Sequence, residues 1–330
     1  MARYTKNRMP TKPLQRLTRS DAPLPPFHIT NRDCHIVEAV ARLRFANVPQ
    51  IVRVVGGSEQ NVGRRAYKLF RYRYLDRPRN QKVELTTFDG SPPLVYGLGS
   101  KGAQLLAGRG LPFSEKLDWT AKNSKARAPF LAHTLAVAET MLSIGMACRQ
   151  ESSPHLIDHH DLLPYLPDRT RHSDDPFRIR VTIQPRDVPK ALKQKDPLEI
   201  GVVPDRLFSF HHDDDTRQNF ALEFDTGSMD INSKRVVGKS SFRRKLLGYF
   251  HLWRQGLHTK VWGFQSFRVL TITPSEVRIN HMLDAQREIT NNTAEGLFLY
   301  TTPERLAERG PLGDVWITSK RDGIYLLDRK

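Results

Sequence analysis

The sequence predicts an α/β protein, a mixed sheet covered on both faces by helices and preceded by a smaller helical domain. Three observations lead there. The second half runs helix, several strands, helix, strand, helix, strand, the order of a sheet with crossover helices. Its apolar residues alternate through Phe220, Leu222 and Phe224, then give way to helical patterns such as the one holding Val277, Ile279, Met282 and Leu283. The first part instead reads as three short helices separated by caps and glycines. A chain of 330 residues has room for two or three domains of roughly 150 residues each.

Charge narrows the class of partner. Fifty-two lysines and arginines against 35 acids give a net charge of +17, with an isoelectric point near 10.1. Such a field favours a polyanion, because basic side chains that neutralise phosphates release condensed counterions. Double-stranded DNA is the first expectation. An anionic membrane is the second, and with no long apolar run or amphipathic anchor in view no membrane partner is expected. Met1-Ala2-Arg3-Tyr4-Thr5-Lys6 leads into no apolar stretch, so no signal peptide is expected. The two cysteines, Cys34 and Cys148, have no metal spacing and read as buried thiols in a reducing cytoplasm. No internal repeat and no Walker-type glycine loop is present, which excludes a nucleotide-driven motor.

Residues 1–29 carry Arg3, Lys6, Arg8, Lys12, Arg16 and Arg19 among prolines, and read as a disordered basic arm suited to a phosphate backbone or simply as a soluble tail. From residue 30 the pattern turns helical. Ile36, Val40 and Leu43 recur behind a cap at Thr30 or Asn31. A second helix from about Pro49 to Val55 stops at Gly56-Gly57, and Ser58 caps a third in which Val62, Ala66 and Leu69 face inward. Its opposite side carries Gln60, Arg64, Tyr67, Lys68 and Arg71, the residue types that reach base edges and phosphates from a major groove. Lys82–Leu85 and Leu94–Leu98 are expected to pair across the turn Asp89-Gly90-Ser91-Pro92, with a closing helix from Ser100. Residues 30–110 therefore read as a winged helix-turn-helix that binds DNA, or one used for protein contacts alone.

Residues 111–128 read as a linker, and Pro129–Arg149 as an amphipathic helix with Leu131, Leu135, Ala138 and Leu142 on its apolar face. The remainder, 129–330, is expected to form one core. Within it, Asp158-His159-His160-Asp161 lacks a second ligand pair at a spacing that closes a zinc site and reads as a surface loop. The run His211–Asp215 reads as a polar turn between strands.

The centre of that core is the stretch 199–249. Two apolar runs, Leu198–Asp205 with Phe208-Ser209-Phe210, and Phe220–Asp225, flank the turn, and each ends in a carboxylate. Alternation puts Phe220, Leu222 and Phe224 on one face and Glu223 with Asp225 on the other. A helical segment from Ser240 to Tyr249 then sets Lys245 among apolar neighbours. Carboxylates at adjacent strand ends suit a divalent cation, and a nearby lysine suits a phosphate or a water.

Pro204-Asp205, Glu223-x-Asp225 and a helical Lys245 with Tyr249 together resemble the PD-(D/E)xK nuclease core. More closely, the chain resembles the plasmid replication-relaxation family, in which such a core follows a winged helix. The resemblance runs from about Thr30 to near Leu299. It implies that Asp205, Glu223, Asp225 and Lys245 form a catalytic site in which Asp205 and Glu223 hold Mg2+ or Mn2+, with the Phe224 carbonyl between them. Lys245 would orient a water or touch the scissile phosphate. One departure stands out: the usual lysine two residues after the glutamate is Asp225 here, and Lys245 takes the place of a migrated lysine. Asp225 is then either a third ligand or the mark of a site that has lost its lysine and its activity. Phe130–Val137 is similar to the helix that opens the core in the family, which makes Glu139 a further acid for the site or an exposed surface residue. Two functions follow. One is a metal-dependent endonuclease that nicks DNA for a plasmid or other mobile genetic element, working with a relaxase or another plasmid-processing protein. The other is a catalytically inactive DNA-binding accessory factor or transcriptional regulator.

Overall fold

The computed structural model describes residues 17–19, 23–81, 93–151, 153–189, 194–228, 231, 241–320, 323–324 and 326. The basic arm before Leu17, the strand expected at Lys82–Leu85 and the turn Asp89–Pro92 lie outside the described residues. The chain is α/β, with eleven α-helices and both parallel and antiparallel strand pairs among the described residues. It divides into two compact units, 1–138 and 139–330.

The first unit opens with α1 (Asn31–Leu43), β1 (Phe45–Asn47), α2 (Val48–Val55) and α3 (Glu59–Arg71). Thr30 caps α1 in a reciprocal box with Asp33, and Ser58 caps α3 through Asn61 N. These contacts satisfy backbone donors that a helix start leaves unpaired. Gly56 and Gly57 turn the chain between α2 and α3 at φ of +75° and +85°, a region that a Cβ disfavours. Next come β2 (Leu75–Asp76), β3 (Val95–Leu98) and α4 (Ser100–Ala107), with β3 antiparallel between β1 and β2.

Residues 111–128 are more than a linker. They contain α5 (Trp119–Ser124), in which Trp119 and Asn123 are buried. Asn123 donates to the Leu98 carbonyl at 2.9 Å and accepts from Arg44 at 2.8 Å. These long-range bonds, rather than any apolar period, fix α5. The helix α6 (Ala128–Gln150) follows, with Leu131 and Leu142 buried. By length and composition α6 could cross a membrane, an apolar run that the sequence reading passed over, but half of that span is buried within the protein.

The second unit begins within α6 and continues through β4 (His155–Ile157), α7 (Asp168–Arg171), β5 (Ile179–Ile183) and β6 (Leu198–Val202). Then come β7 (Arg206–His211), β8 (Arg217–Phe224), α8 (Phe242–Arg254), α9 (Leu257–Trp262), β9 (Arg268–Ile272), α10 (Glu276–Thr290), β10 (Phe298–Thr301), α11 (Pro303–Arg309), β11 (Trp316–Ile317) and β12 (Gly323–Ile324). Seven strands form a mixed sheet in the order β12-β11-β10-β9-β8-β7-β4, parallel across β8, β9 and β10 and antiparallel elsewhere. The apolar run expected to lead directly into Asp205 is broken: its first part, β6, pairs instead with β5 in a separate two-stranded ribbon. Pro204, which cannot donate to a ladder, sits between the two parts.

Parity along the strands defines two faces. Leu207, Ala221, Val269, Phe298 and Tyr300 belong to one core together with Leu246 and Tyr249 of α8 and Met282 of α10. On the other face Phe208, Phe210 and Phe220 form an aromatic cluster, with the Phe208 and Phe220 rings stacked at 5.1 Å. Asn219 to Glu223 are buried without interruption, so both faces of β8 are covered. Burying each such phenylalanine contributes about 1.5–3 kcal/mol.

Candidate functional site

The β7–β8 register pairs Arg206 with Leu222. One step further sets Asp205 across from Glu223, and Asp205 N still donates to the Leu222 carbonyl at 3.0 Å. Directly opposed residues project to the same face. Asp205, Glu223 and Asp225 therefore all lie on the face that α8 and α10 cover, where α8 brings Lys245 and Tyr249. Phe224 N donates to Asp205 Oδ2 at 2.8 Å, which ties the first carboxylate to the end of β8.

Glu223 is only 5% exposed. Lys245 and Tyr249, one turn apart on α8 and hence on one helix face, both donate to it: Lys245 Nζ to Oε2 in an ion pair, and Tyr249 Oη to Oε1 at 2.6 Å. Ser241 caps α8 and starts it at the position that permits this reach. Burial pushes the Glu223 carboxyl up to about 7; Asp205 adds to the rise, while Lys245 and the Tyr249 bond work against it. For Lys245 burial opposes the charge, but Glu223, Asp205 and Asp225 outweigh it and hold the ammonium above its ordinary value. The Tyr249 hydroxyl is pushed well above its ordinary value by burial and by Glu223.

Asp225 has different company. Arg278, in the first turn of α10, donates to both of its oxygens, through Nε to Oδ2 and through Nη2 to Oδ1 at 3.0 Å. Thr273 Oγ1 donates to Oδ2 at 2.8 Å, and Gly227 N approaches Oδ1 at 3.3 Å. Sequence reasoning missed Arg278, since 53 residues separate it from its partner and no local pattern links them. Glu139 is exposed on α6.

Other sequence candidates resolve into structural roles. His159 accepts the Leu207 N–H at 3.1 Å and packs against Phe177, and burial holds its imidazole well below the usual value. His211 bonds Asp215 across the expected turn at 2.8 Å. Among the described residues, no three histidines, cysteines or acids are grouped to hold a metal ion.

In the first unit, Gln60, Arg64, Tyr67 and Lys68 are exposed on α3, whereas Val62, Ala66 and Leu69 are buried beneath them. Arg71 is half-buried and donates to Tyr67 Oη at 3.4 Å. The Arg77 guanidinium lies 5.2 Å from the Tyr67 ring and donates to Tyr96 Oη at 2.7 Å. Arg65, on the same helix, is turned away from this set, pairing with the buried Asp33.

An α/β protein whose second unit carries a carboxylate and lysine cluster at one end of a mixed sheet and whose first unit presents a polar, basic helix face is the class these elements define. The chain belongs to the replication-relaxation family, whose model matches residues 37–266. That membership suggests a role in the replication of a plasmid or other mobile element. No curated protein and no solved structure matches it.

Proposed function

We propose that this chain is a DNA-binding protein of a plasmid or other mobile element that nicks DNA with the help of a divalent cation. In this reading residues 30–110 are a winged helix whose α3 presents Gln60, Arg64, Tyr67, Lys68 and Arg71 to the major groove, and 129–330 is a PD-(D/E)xK-like core. The observation that carries it is the opposition of Asp205 and Glu223 on one sheet face with Lys245 against Glu223. Two carboxylates from adjacent strands fit the oxygen preference of Mg2+ or Mn2+. When bound there, such an ion supplies an activated water and offsets charge on a phosphate. Lys245 is paired with Glu223 and partly exposed; in this reading it takes the phosphate as its alternative anion, and Tyr249 keeps Glu223 in position. The natural partners are double-stranded DNA in the cytoplasm and a relaxase or similar processing protein.

Purified protein incubated with supercoiled plasmid and Mg2+ or Mn2+ should convert it to open circles, and Asp205→Ala and Glu223→Ala should abolish the conversion. Equal nicking by the variants would overturn the enzymatic reading. One observation favours the second reading, a DNA-binding accessory factor or regulator without catalysis: both Glu223 oxygens already have donors, and no third acid completes a metal cluster among the described residues. In that case Arg64→Ala weakens DNA binding and lowers its salt slope by about one, while Asp205→Ala leaves function intact.

A further inference from the structure

We propose that Asp225 is the anchor of an ion-pair clasp and that Arg278 is a positioning residue, the cation that offsets the Asp225 charge beside the Asp205–Glu223–Lys245 cluster. The inference rests on the metal-site reading above and assigns two residues within it. An ionised carboxylate offers about four acceptor positions. Those of Asp225 meet four donors: Arg278 Nε and Nη2, Thr273 Oγ1 and Gly227 N. Asp225 N also donates to the Ile272 carbonyl at 2.8 Å, which fixes its backbone between β8 and β9. A carboxylate so occupied is spent as a ligand. Its charge, however, still lies beside the site, since Asp225 lines the same cavity as Glu223 and Lys245.

Counting charges shows what Arg278 does. Once Glu223 is ionised, as a metal ligand must be, Asp205, Glu223 and Asp225 bring three negative charges to one face, and Lys245 offsets one. A phosphate approaching that surplus is repelled unless a further cation is held there. Arg278 supplies one such cation, at Asp225. Its planar fork meets both carboxylate oxygens, a geometry that a lysine does not reproduce, and its side chain is 16% exposed, so the pair is little screened by water. The clasp also joins the residue that follows β8 to the first turn of α10.

The test measures Mn2+ affinity of the full chain by calorimetry for wild type, Asp225→Asn, Arg278→Met and the double variant, with Glu223→Gln as the reference for loss of a ligand. If the clasp is right, Asp225→Asn leaves an unbalanced cation and weakens Mn2+ by about tenfold or more, while Arg278→Met leaves an unbalanced anion and tightens it. The double variant, neutral at both positions, returns to within about fivefold of wild type, a recovery that damage to the fold alone does not produce. If the double variant is weaker than that, or as weak as Glu223→Gln, Asp225 is a ligand and the proposal is overturned. Wild type that takes no Mn2+ sinks the metal-site reading by itself. The clasp is then decided by urea unfolding of the same four proteins, where a coupling of at least about fivefold in the unfolding constant supports it and a smaller one overturns it. Arg278→Lys, which keeps the charge but not the fork, gives a folded control should Arg278→Met unfold, and its expected Mn2+ affinity is within about threefold of wild type.

Discussion

Replacing Glu223 by glutamine should change how the stability of residues 139–330 depends on pH. In an unfolded chain its carboxyl titrates near 4.5, and in the folded protein near 7, because burial and Asp205 outweigh Lys245 and Tyr249. A folded-state value above the unfolded one means that the folded protein binds the proton more tightly. The stabilisation is therefore complete below pH 4.5 and is lost as pH rises through 7. At about 1.4 kcal/mol per pH unit, the gap corresponds to roughly 3 kcal/mol. Lys245 stays protonated throughout this range, its value being held above the ordinary one, so the glutamate alone titrates within the pair. Urea unfolding at pH 5, 6, 7 and 8 in a chelator reads the effect. Tryptophan fluorescence suits it, since Trp253, Trp262 and Trp316 lie in this unit. Between pH 5 and 8 wild type should lose about 2–3 kcal/mol relative to Glu223→Gln. Parallel stability profiles would refute the claim that this carboxyl is desolvated in the fold.

Two further expectations concern single contacts. Tyr249→Phe removes the 2.6 Å bond to Glu223 Oε1, should cost about 1.5–3 kcal/mol as a lost bond to a charged group, and should move the carboxyl above 7 in a carbon-13 titration; an unchanged titration midpoint counts against it. Asp33 is fully buried and accepts from Arg65 and from Thr30, and although burial alone would raise its carboxyl, those bonds hold it below the ordinary value. Its stabilisation is accordingly present above pH 3.8 and lost on acidification, so Asp33→Asn should cost about 2–3 kcal/mol at pH 7 and less at pH 3 in urea unfolding.

What the sequence made legible was local. Caps at Thr30 and Ser58, the glycine turn at 56–57 and the helical face of α3 each depend on residues within a turn of one another, where propensity acts directly. The opposition of Asp205 and Glu223 was within reach for the same reason, because strand alternation and one short turn determine it. What escaped depends on distant partners. Nothing near Asn123 signals that Arg44 and Leu98 will bury it, so α5 resembled a linker. The pairing of β6 with β5 rather than with the main sheet is a choice between two apolar neighbours that periodicity does not rank. Arg278 is the instructive omission: Asp225 in place of a lysine read as either a third ligand or the mark of a lost activity, and its ion-pair partner comes from a helix 53 residues away.

The most direct measurement is a crystal structure of the protein soaked in Mn2+, read by anomalous scattering. The expected result is one strong peak about 2.1 Å from a carboxylate oxygen of Asp205 and of Glu223, beside Lys245, with Asp225 still held by Arg278. A map with no peak between those two acids, or with the ion bound by Asp225, would contradict the account.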